Sequence, residues 1–145
     1  MSTADVGRVH ASFVGVVRAL GLIRPDTTPC GQPLSLTHAH TISELHADGP
    51  LSQQALAGRL RLQKSTVSRL VDELGRDGTV ERQPNPADGR SVLIALTPAG
   101  HRKAERLRAA QTDLFAALLA DISAAERRQL ADLLDRLAGA ARALD

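Results

Sequence analysis

Residues 51–100 read LSQQALAGRLRLQKSTVSRLVDELGRDGTVERQPNPADGRSVLIALTPAG, and the residue types in this segment predict the architecture of the chain. Ser52 is a residue type that caps helices, and it predicts a helix through Arg59. A turn of three or four residues then leads into a second helix from about Gln63 to Gly75. The second helix has apolar residues on one side only, so it is predicted to pack on its neighbours and to leave a polar side open.

Two runs rich in strand-forming residues follow, at residues 79–83 and 91–96. Residues 84–90 between them are full of turn formers and are predicted to form a loop too long for a two-residue turn. Two short helices joined by a tight turn and followed by a hairpin predict a winged helix-turn-helix.

Four further helices are predicted outside this stretch from apolar residues that recur at three- and four-residue spacing. They cover residues 5–24, 35–46, 97–120 and 123 to the C-terminus. Pro25 is predicted to end the helix at residues 5–24, and Thr97 is predicted to cap the helix at residues 97–120. Ser123 is predicted to begin the last helix with a capping box. The expected fold class is therefore mainly α with a small β-hairpin.

Composition excludes several classes of protein. The 145 residues are 43% hydrophobic and 23% charged, which is ordinary for a globular chain, and no apolar run is long enough for a membrane span. With two Phe, no Tyr and no Trp, the chain lacks the aromatic platforms of single-strand and RNA binders. The N-terminus has no signal-peptide pattern, and the lone Cys30 fits a reducing compartment, so a cytoplasmic location is expected. We find no phosphate loop or nucleophile elbow and expect no enzyme and no cofactor.

Charge is concentrated in the middle of the chain. Between residues 51 and 103 the basic residues outnumber the acidic ones nine to five, which favours a polyanionic partner. On the second helix, Ser65, Thr66, Ser68 and Arg69 form a slim polar face suited to the major groove of double-stranded DNA. The predicted DNA contacts are Ser52, Gln63, Lys64, Ser65, Thr66, Ser68, Arg69, Arg76, Arg82, Asp88 and Arg90.

The predicted hairpin strengthens this interpretation. Asp88 and Arg90 flank a glycine near its tip, and we expect Asp88 to hold Arg90 extended through a charged hydrogen bond. An arginine on a narrow hairpin suits the negative potential of the minor groove. Arg82 on the first strand is expected to add a contact to the DNA backbone.

Four segments together resemble the MarR family of bacterial transcriptional regulators: residues 65–72 (STVSRLVD), 78–82 (GTVER), 88–91 (DGRS) and 96–100 (LTPAG). The resemblance implies one MarR-type domain over residues 1–145. Residues 5–46 would be N-terminal helices, 51–96 the winged helix-turn-helix, and 97–145 the C-terminal dimerisation helices. It also implies a homodimer that binds a pseudo-palindromic operator, with Ser65, Thr66, Ser68 and Arg69 on the recognition helix and Arg90 in the wing. The leucine-rich terminal helices favour a dimer independently, although they could instead complete a monomeric core.

The resemblance further implies a regulator, most simply a repressor, that is released by a small phenolic or other anionic effector. Arg18, Arg24, His38 and His40 are the residues that could face such an anion. Metal sensing is an alternative with Cys30, His40, Glu44 and His101 as candidate ligands, although ordinary surface histidines explain them better. Oxidant sensing would have to use Cys30, which has no second thiol to resolve it.

A winged-helix module that binds protein instead of DNA is the rival from another class. Such modules often lack an outward basic recognition helix and a wing arginine. This chain has both, in Arg69 and Arg90.

Overall fold

The computed structural model describes residues 2–144, which form six helices and a small antiparallel sheet. The elements are α1 Thr3–Ala19, α2 Leu36–Asp48, β1 Leu51–Ser52, α3 Gln53–Leu60, α4 Lys64–Arg76, β2 Val80–Asn85, β3 Asp88–Leu96, α5 Pro98–Leu118 and α6 Ala124–Arg142. The chain divides after Gln111 into two compact units. The expected fold class, mainly α with a hairpin, is confirmed, and no helix within the described range is long and apolar enough to cross a membrane.

The core lies in the first unit and is built from α2, α3, α4, the sheet and the start of α5. Its fully buried members include Ile42, Leu56, Val67 and Ile94. These five elements thus pack around one apolar centre, and this packing holds α3 and α4 as a rigid helix-turn-helix.

Three serines that were predicted to cap helices from the sequence do so in the structure. The Ser35 hydroxyl accepts the amide of His38 at 3.1 Å, and the Ser52 hydroxyl accepts that of Ala55 at 3.0 Å. The Ser123 capping box is also present. Each hydroxyl satisfies an amide that would otherwise lack a partner in the first turn.

The first helix ends earlier than predicted. It stops at Ala19, because Gly21 takes a left-handed conformation with φ of +66° and donates its amide to the Arg18 carbonyl at 3.1 Å. The Leu22 amide bonds back to the Val17 carbonyl at 3.1 Å, which completes a glycine-ended helix cap. Pro25 therefore lies beyond the helix and does not terminate it.

The hairpin also differs from the prediction. β2 and β3 are paired as far as Asn85 and Asp88, so the expected long loop at residues 84–90 is reduced to two connecting residues, with a bulge at Pro84/Asn85. The Asn85 side chain explains the tight connection, because its oxygen accepts the Ala87 amide at 3.0 Å. A third strand, β1, pairs Leu51 with Ile94 and was not predicted. Two residues are too few for a periodic pattern to reveal them.

Candidate nucleic-acid interface

The second helix of the helix-turn-helix, α4, separates its side chains sharply into two faces. Val67, Leu70, Val71 and Leu74 are buried, as predicted. On the opposite face Ser65, Arg69 and Arg76 are exposed, while Thr66 and Ser68 are half-buried. The open face combines small hydroxyls with two guanidinium groups, which is a shape and charge that fit a major groove.

The N-terminus of α4 presents amides without side-chain caps. Gln63 is the N-cap residue, and its side chain makes no capping hydrogen bond. Its carbonyl accepts the amides of Thr66 and Val67 at 3.0 and 3.1 Å, so the amides of Lys64 and Ser65 have no partner within the helix. Together with the exposed Lys64, they form a positive terminus that suits a phosphate. Ser52 differs, because its oxygen already caps α3.

The turn between α3 and α4 has an unusual backbone. Arg61 is the C-cap residue of α3 and adopts a left-handed conformation with φ of +55°. The amide of Leu62 donates to the Ala57 carbonyl at 3.0 Å, which closes the end of α3 before α4 begins at Lys64. No sequence signal indicated this conformation, because non-glycine residues adopt it rarely.

The wing tip is braced by polar side chains. The Asp88 carboxylate accepts the backbone amide of Arg90 at 3.0 Å, and the Ser91 hydroxyl donates to the Asp88 carbonyl at 3.2 Å. Asn85 donates to Ser91 Oγ at 2.9 Å. The charged hydrogen bond expected from Asp88 thus reaches the amide of Arg90 instead of its guanidinium. Within residues 2–144 no carboxylate pairs with that exposed guanidinium, which leaves it open to a phosphate or groove.

Arg82 connects the wing to the recognition helix. Its guanidinium donates to the Asp72 carboxylate at 2.6 Å, and both side chains are about half exposed. A charge already paired within the protein attracts a phosphate less strongly than an unpaired one. The geometry therefore supports a role for Arg82 in orienting the wing more than the phosphate contact expected from the sequence.

The base of the wing is fixed by a polar cluster. The Asp77 carboxylate accepts the amide of Thr79 at 3.0 Å and the ammonium of Lys103 at 3.2 Å. Partial burial raises the pKa of Asp77, but the hydrogen bonds from Thr79 and Lys103 outweigh it and hold this pKa below its ordinary value. The cluster ties the end of α4 to the start of α5.

The residues proposed to face an effector differ in their exposure and in their partners. Arg18, Arg24 and His40 are exposed. His38 is half-buried, and both of its ring nitrogens have partners: Nδ1 lies 2.5 Å from Ser35 Oγ, and Nε2 lies 3.0 Å from Glu73 Oε2.

The four candidate metal ligands do not form a metal-binding group. Within residues 2–144 no three His, Cys, Asp or Glu side chains are arranged to hold an ion. Glu44 pairs with Arg59, and Cys30 Sγ lies 3.1 Å from a threonine hydroxyl. The ring of His101 packs edge-on against His46 with centroids 5.8 Å apart.

A helix with one buried apolar side and one exposed polar side, followed by a two-stranded wing, is the architecture of a winged helix-turn-helix protein. Residues 34–92 match the model of the MarR family. The chain is 32% identical over 105 residues to the HTH-type transcriptional regulator Mb0904 of Mycobacterium bovis, covering 70% of this chain and 73% of that one. The chain belongs to the MarR family. The expectation of a transcriptional regulator instead of an enzyme is confirmed by this membership.

Two further relatives extend the comparison. The HTH-type transcriptional repressor YetL of Bacillus subtilis is 33% identical over 94 residues, covering 62% of this chain and 56% of YetL. The solved structure of PcaV from Streptomyces coelicolor in complex with its natural ligand is 28% identical, covers 97% of both chains and has a TM-score of 0.69.

Proposed function

We propose that the protein is a homodimeric repressor that binds a pseudo-palindromic operator and is released by a small phenolic or other anionic effector. Two features together support the DNA contact: the exposed polar face of α4 around Arg69, and the Arg90 guanidinium on the wing, which has no carboxylate partner within residues 2–144. The repressor role is supported by the similarity to YetL, and the effector by the similarity to PcaV, which was solved with its natural ligand.

In this proposal α4 enters the major groove. Arg69 donates hydrogen bonds to the O6 and N7 atoms of guanine. The hydroxyls of Ser65, Thr66 and Ser68 contact phosphates or base edges. The remaining predicted contacts from the helices are to the DNA backbone: Ser52 at the start of α3, Gln63 at the start of α4, and Lys64 and Arg76 on α4. Arg82 orients the wing through its contact with Asp72. Arg90, positioned by Asp88, enters the minor groove.

Dimerisation is supported by apolar rows that are open in the single chain. On α1, Val6, Val9, Phe13 and Val16 are each about half exposed. On α6, taken separately, Leu130, Leu133, Leu134 and Leu137 are exposed by 39 to 52%. Contiguous apolar rows of this kind mark association surfaces. We propose that a second copy covers them, with residues 5–46 and 97–145 forming the dimer region and 51–96 the DNA-binding region of the single domain 1–145.

A two-fold dimer would present two recognition helices about 34 Å apart, one turn of the duplex. This spacing accounts for a pseudo-palindromic operator. The effector contact is proposed for Arg18, Arg24 and His40, whose side chains are exposed and basic. Nothing in the arrangement of Cys30, His40, Glu44 and His101 favours metal sensing over this proposal.

Fluorescence anisotropy tests the proposal. The full chain is titrated onto duplex DNA from upstream of its own gene and onto a scrambled duplex, across a range of salt concentrations. We expect selective binding that weakens as salt rises, because phosphate contacts release counterions. Equal, weak binding to both duplexes would favour a winged helix that binds protein.

Two variants sharpen the DNA test. Arg90→Ala is expected to weaken binding by about 1–3 kcal/mol, roughly 5- to 150-fold, and to lower the salt slope by about one. Arg128→Ala removes an equal charge from the polar side of α6 and should leave binding near the wild-type value. Unchanged affinity in Arg90→Ala would remove the wing from the mechanism.

Sedimentation tests the dimer. Leu133→Asp places a charge in the apolar row of α6 and is expected to yield monomers that remain helical by circular dichroism. A monomeric wild-type chain would show that these leucines do not form a dimer.

A further inference from the structure

Two acidic side chains flank the DNA-facing row of α4. At 3.6 residues per turn, Glu73 lies about 40° to one side of Arg69, and Asp72 lies about 60° to the other. Each carboxylate is held by a residue from a neighbouring element: Arg82 of β2 binds Asp72 at 2.6 Å, and His38 of α2 binds Glu73 at 3.0 Å. From the sequence, His38 was considered only as a residue that could face an effector.

The His38 ring is itself oriented by the helix cap of α2. Ser35 Oγ accepts the His38 amide at 3.1 Å and lies 2.5 Å from Nδ1, while Nε2 faces Glu73. A proton on Nε2 fits both contacts, because Nε2 then donates to the Glu73 carboxylate while Nδ1 remains within hydrogen-bond distance of Ser35 Oγ. The ring therefore has one preferred orientation, which is set by α2.

Glu73 has an alternative partner on its own helix. It lies four residues after Arg69, the spacing at which a carboxylate and a guanidinium pair along a helix. A Glu73 side chain without His38 would be available to Arg69. That pairing would occupy the guanidinium and bring negative charge towards the DNA.

We propose that His38 is a positioning residue for DNA recognition. It holds the Glu73 carboxylate to the side, keeps Arg69 available to the major groove, and fixes the rotation of α4 against α2. This inference rests on the proposed DNA contact of Arg69.

A double-mutant cycle on operator DNA tests it. His38→Ala is expected to weaken operator binding about three- to tenfold, the range of one charge-assisted hydrogen bond in a partly exposed site. In a Glu73→Ala background the same substitution should have no effect, because the carboxylate that it releases is absent. Glu105→Ala, which removes an exposed carboxylate from α5, controls for the change in net charge.

The cycle separates this role from simple packing. A packing role for His38 would weaken binding equally in both backgrounds, and that result would overturn the inference. Circular dichroism and thermal melts of each variant establish that the fold is retained. Failure of the wild-type chain to select the operator would instead refute the proposed function.

Nitrogen-15 NMR of the free protein gives a readout that needs no DNA. We expect the His38 ring to carry its proton on Nε2 and the Nε2 resonance to shift in Glu73→Ala, whereas Nδ1 keeps its contact with Ser35. A ring with mixed tautomers in the wild-type chain, unchanged by Glu73→Ala, would overturn the inference even if operator binding were selective.

Discussion

Gly100 lies in the first turn of α5, where the helix meets the backbone at the start of the wing. A Cβ atom added there would lie 2.1 Å from the Thr79 carbonyl oxygen and 3.2 Å from Cδ2 of Leu96. The position cannot relax cheaply, because Thr97 anchors the same turn. Its hydroxyl donates to the Gly78 carbonyl at 2.5 Å and accepts the Gly100 amide at 3.0 Å. Relief of the clash requires α5 and the wing to separate.

The cost of Gly100→Ala follows from two opposing effects. Overpacking of a close contact costs about 1–3 kcal/mol, and a clash with backbone belongs at the upper end. Alanine recovers up to about 1 kcal/mol of helix propensity relative to glycine. We expect a net loss of about 2 kcal/mol in the free energy of unfolding and a fall in Tm of about 8 °C.

Gly58 provides the matched control. It lies within α3, and a Cβ added there would meet no atom within 4 Å. Gly58→Ala should therefore stabilise the protein by up to about 1 kcal/mol. Thermal and urea unfolding are followed by circular dichroism at one protomer concentration, since association would make the midpoints depend on concentration. Equal midpoints for Gly100→Ala and Gly58→Ala would refute the close-approach argument.

Two further predictions concern the contact between the first turn of α5 and the start of the wing. The lowered pKa of Asp77 means that its ionised form stabilises the fold, fully at neutral pH and progressively less as the pH falls below about 4. Asp77→Asn should flatten this acid loss in a series of melts, and an unchanged pH profile would contradict the assignment. Thr97→Val should lower the free energy of unfolding by about 1–2 kcal/mol, because the Gly100 amide loses its hydrogen-bond acceptor. Thr97→Ser keeps the hydroxyl and should stay within about 0.5 kcal/mol of wild type. Equal losses in the two variants would argue against the cap.

The features predicted correctly from the sequence are those determined by near neighbours. Ser52 and Ser123 cap helices through amides three residues away, and the buried side of α4 follows from one helical period. In each case the residues that decide the structure lie within two turns of one another. The pattern is therefore visible without knowledge of the tertiary fold.

The features that were missed depend on partners far along the chain or on rare backbone conformations. His38 meets Glu73 across 35 positions, and Arg82 meets Asp72 only after the wing folds back on α4. The left-handed Arg61 has no residue-type signal. The end of α1 was predicted at Pro25, because proline is a stronger helix-terminating signal than glycine, but the helix ends earlier through a cap formed by Gly21.

The charge of the recognition helix shows why residue counts alone were insufficient. The sequence of α4 contains three basic residues and two acidic ones, Asp72 and Glu73, which is a weak positive excess for a DNA-binding surface. The structure pairs both acids with residues outside the helix, while Arg69 keeps its guanidinium unpaired within residues 2–144. The electrostatic potential at a bound phosphate therefore depends on the position of each carboxylate as well as on the number of carboxylates. Variants at His38 and Arg82 should consequently alter DNA binding although neither residue lies on α4.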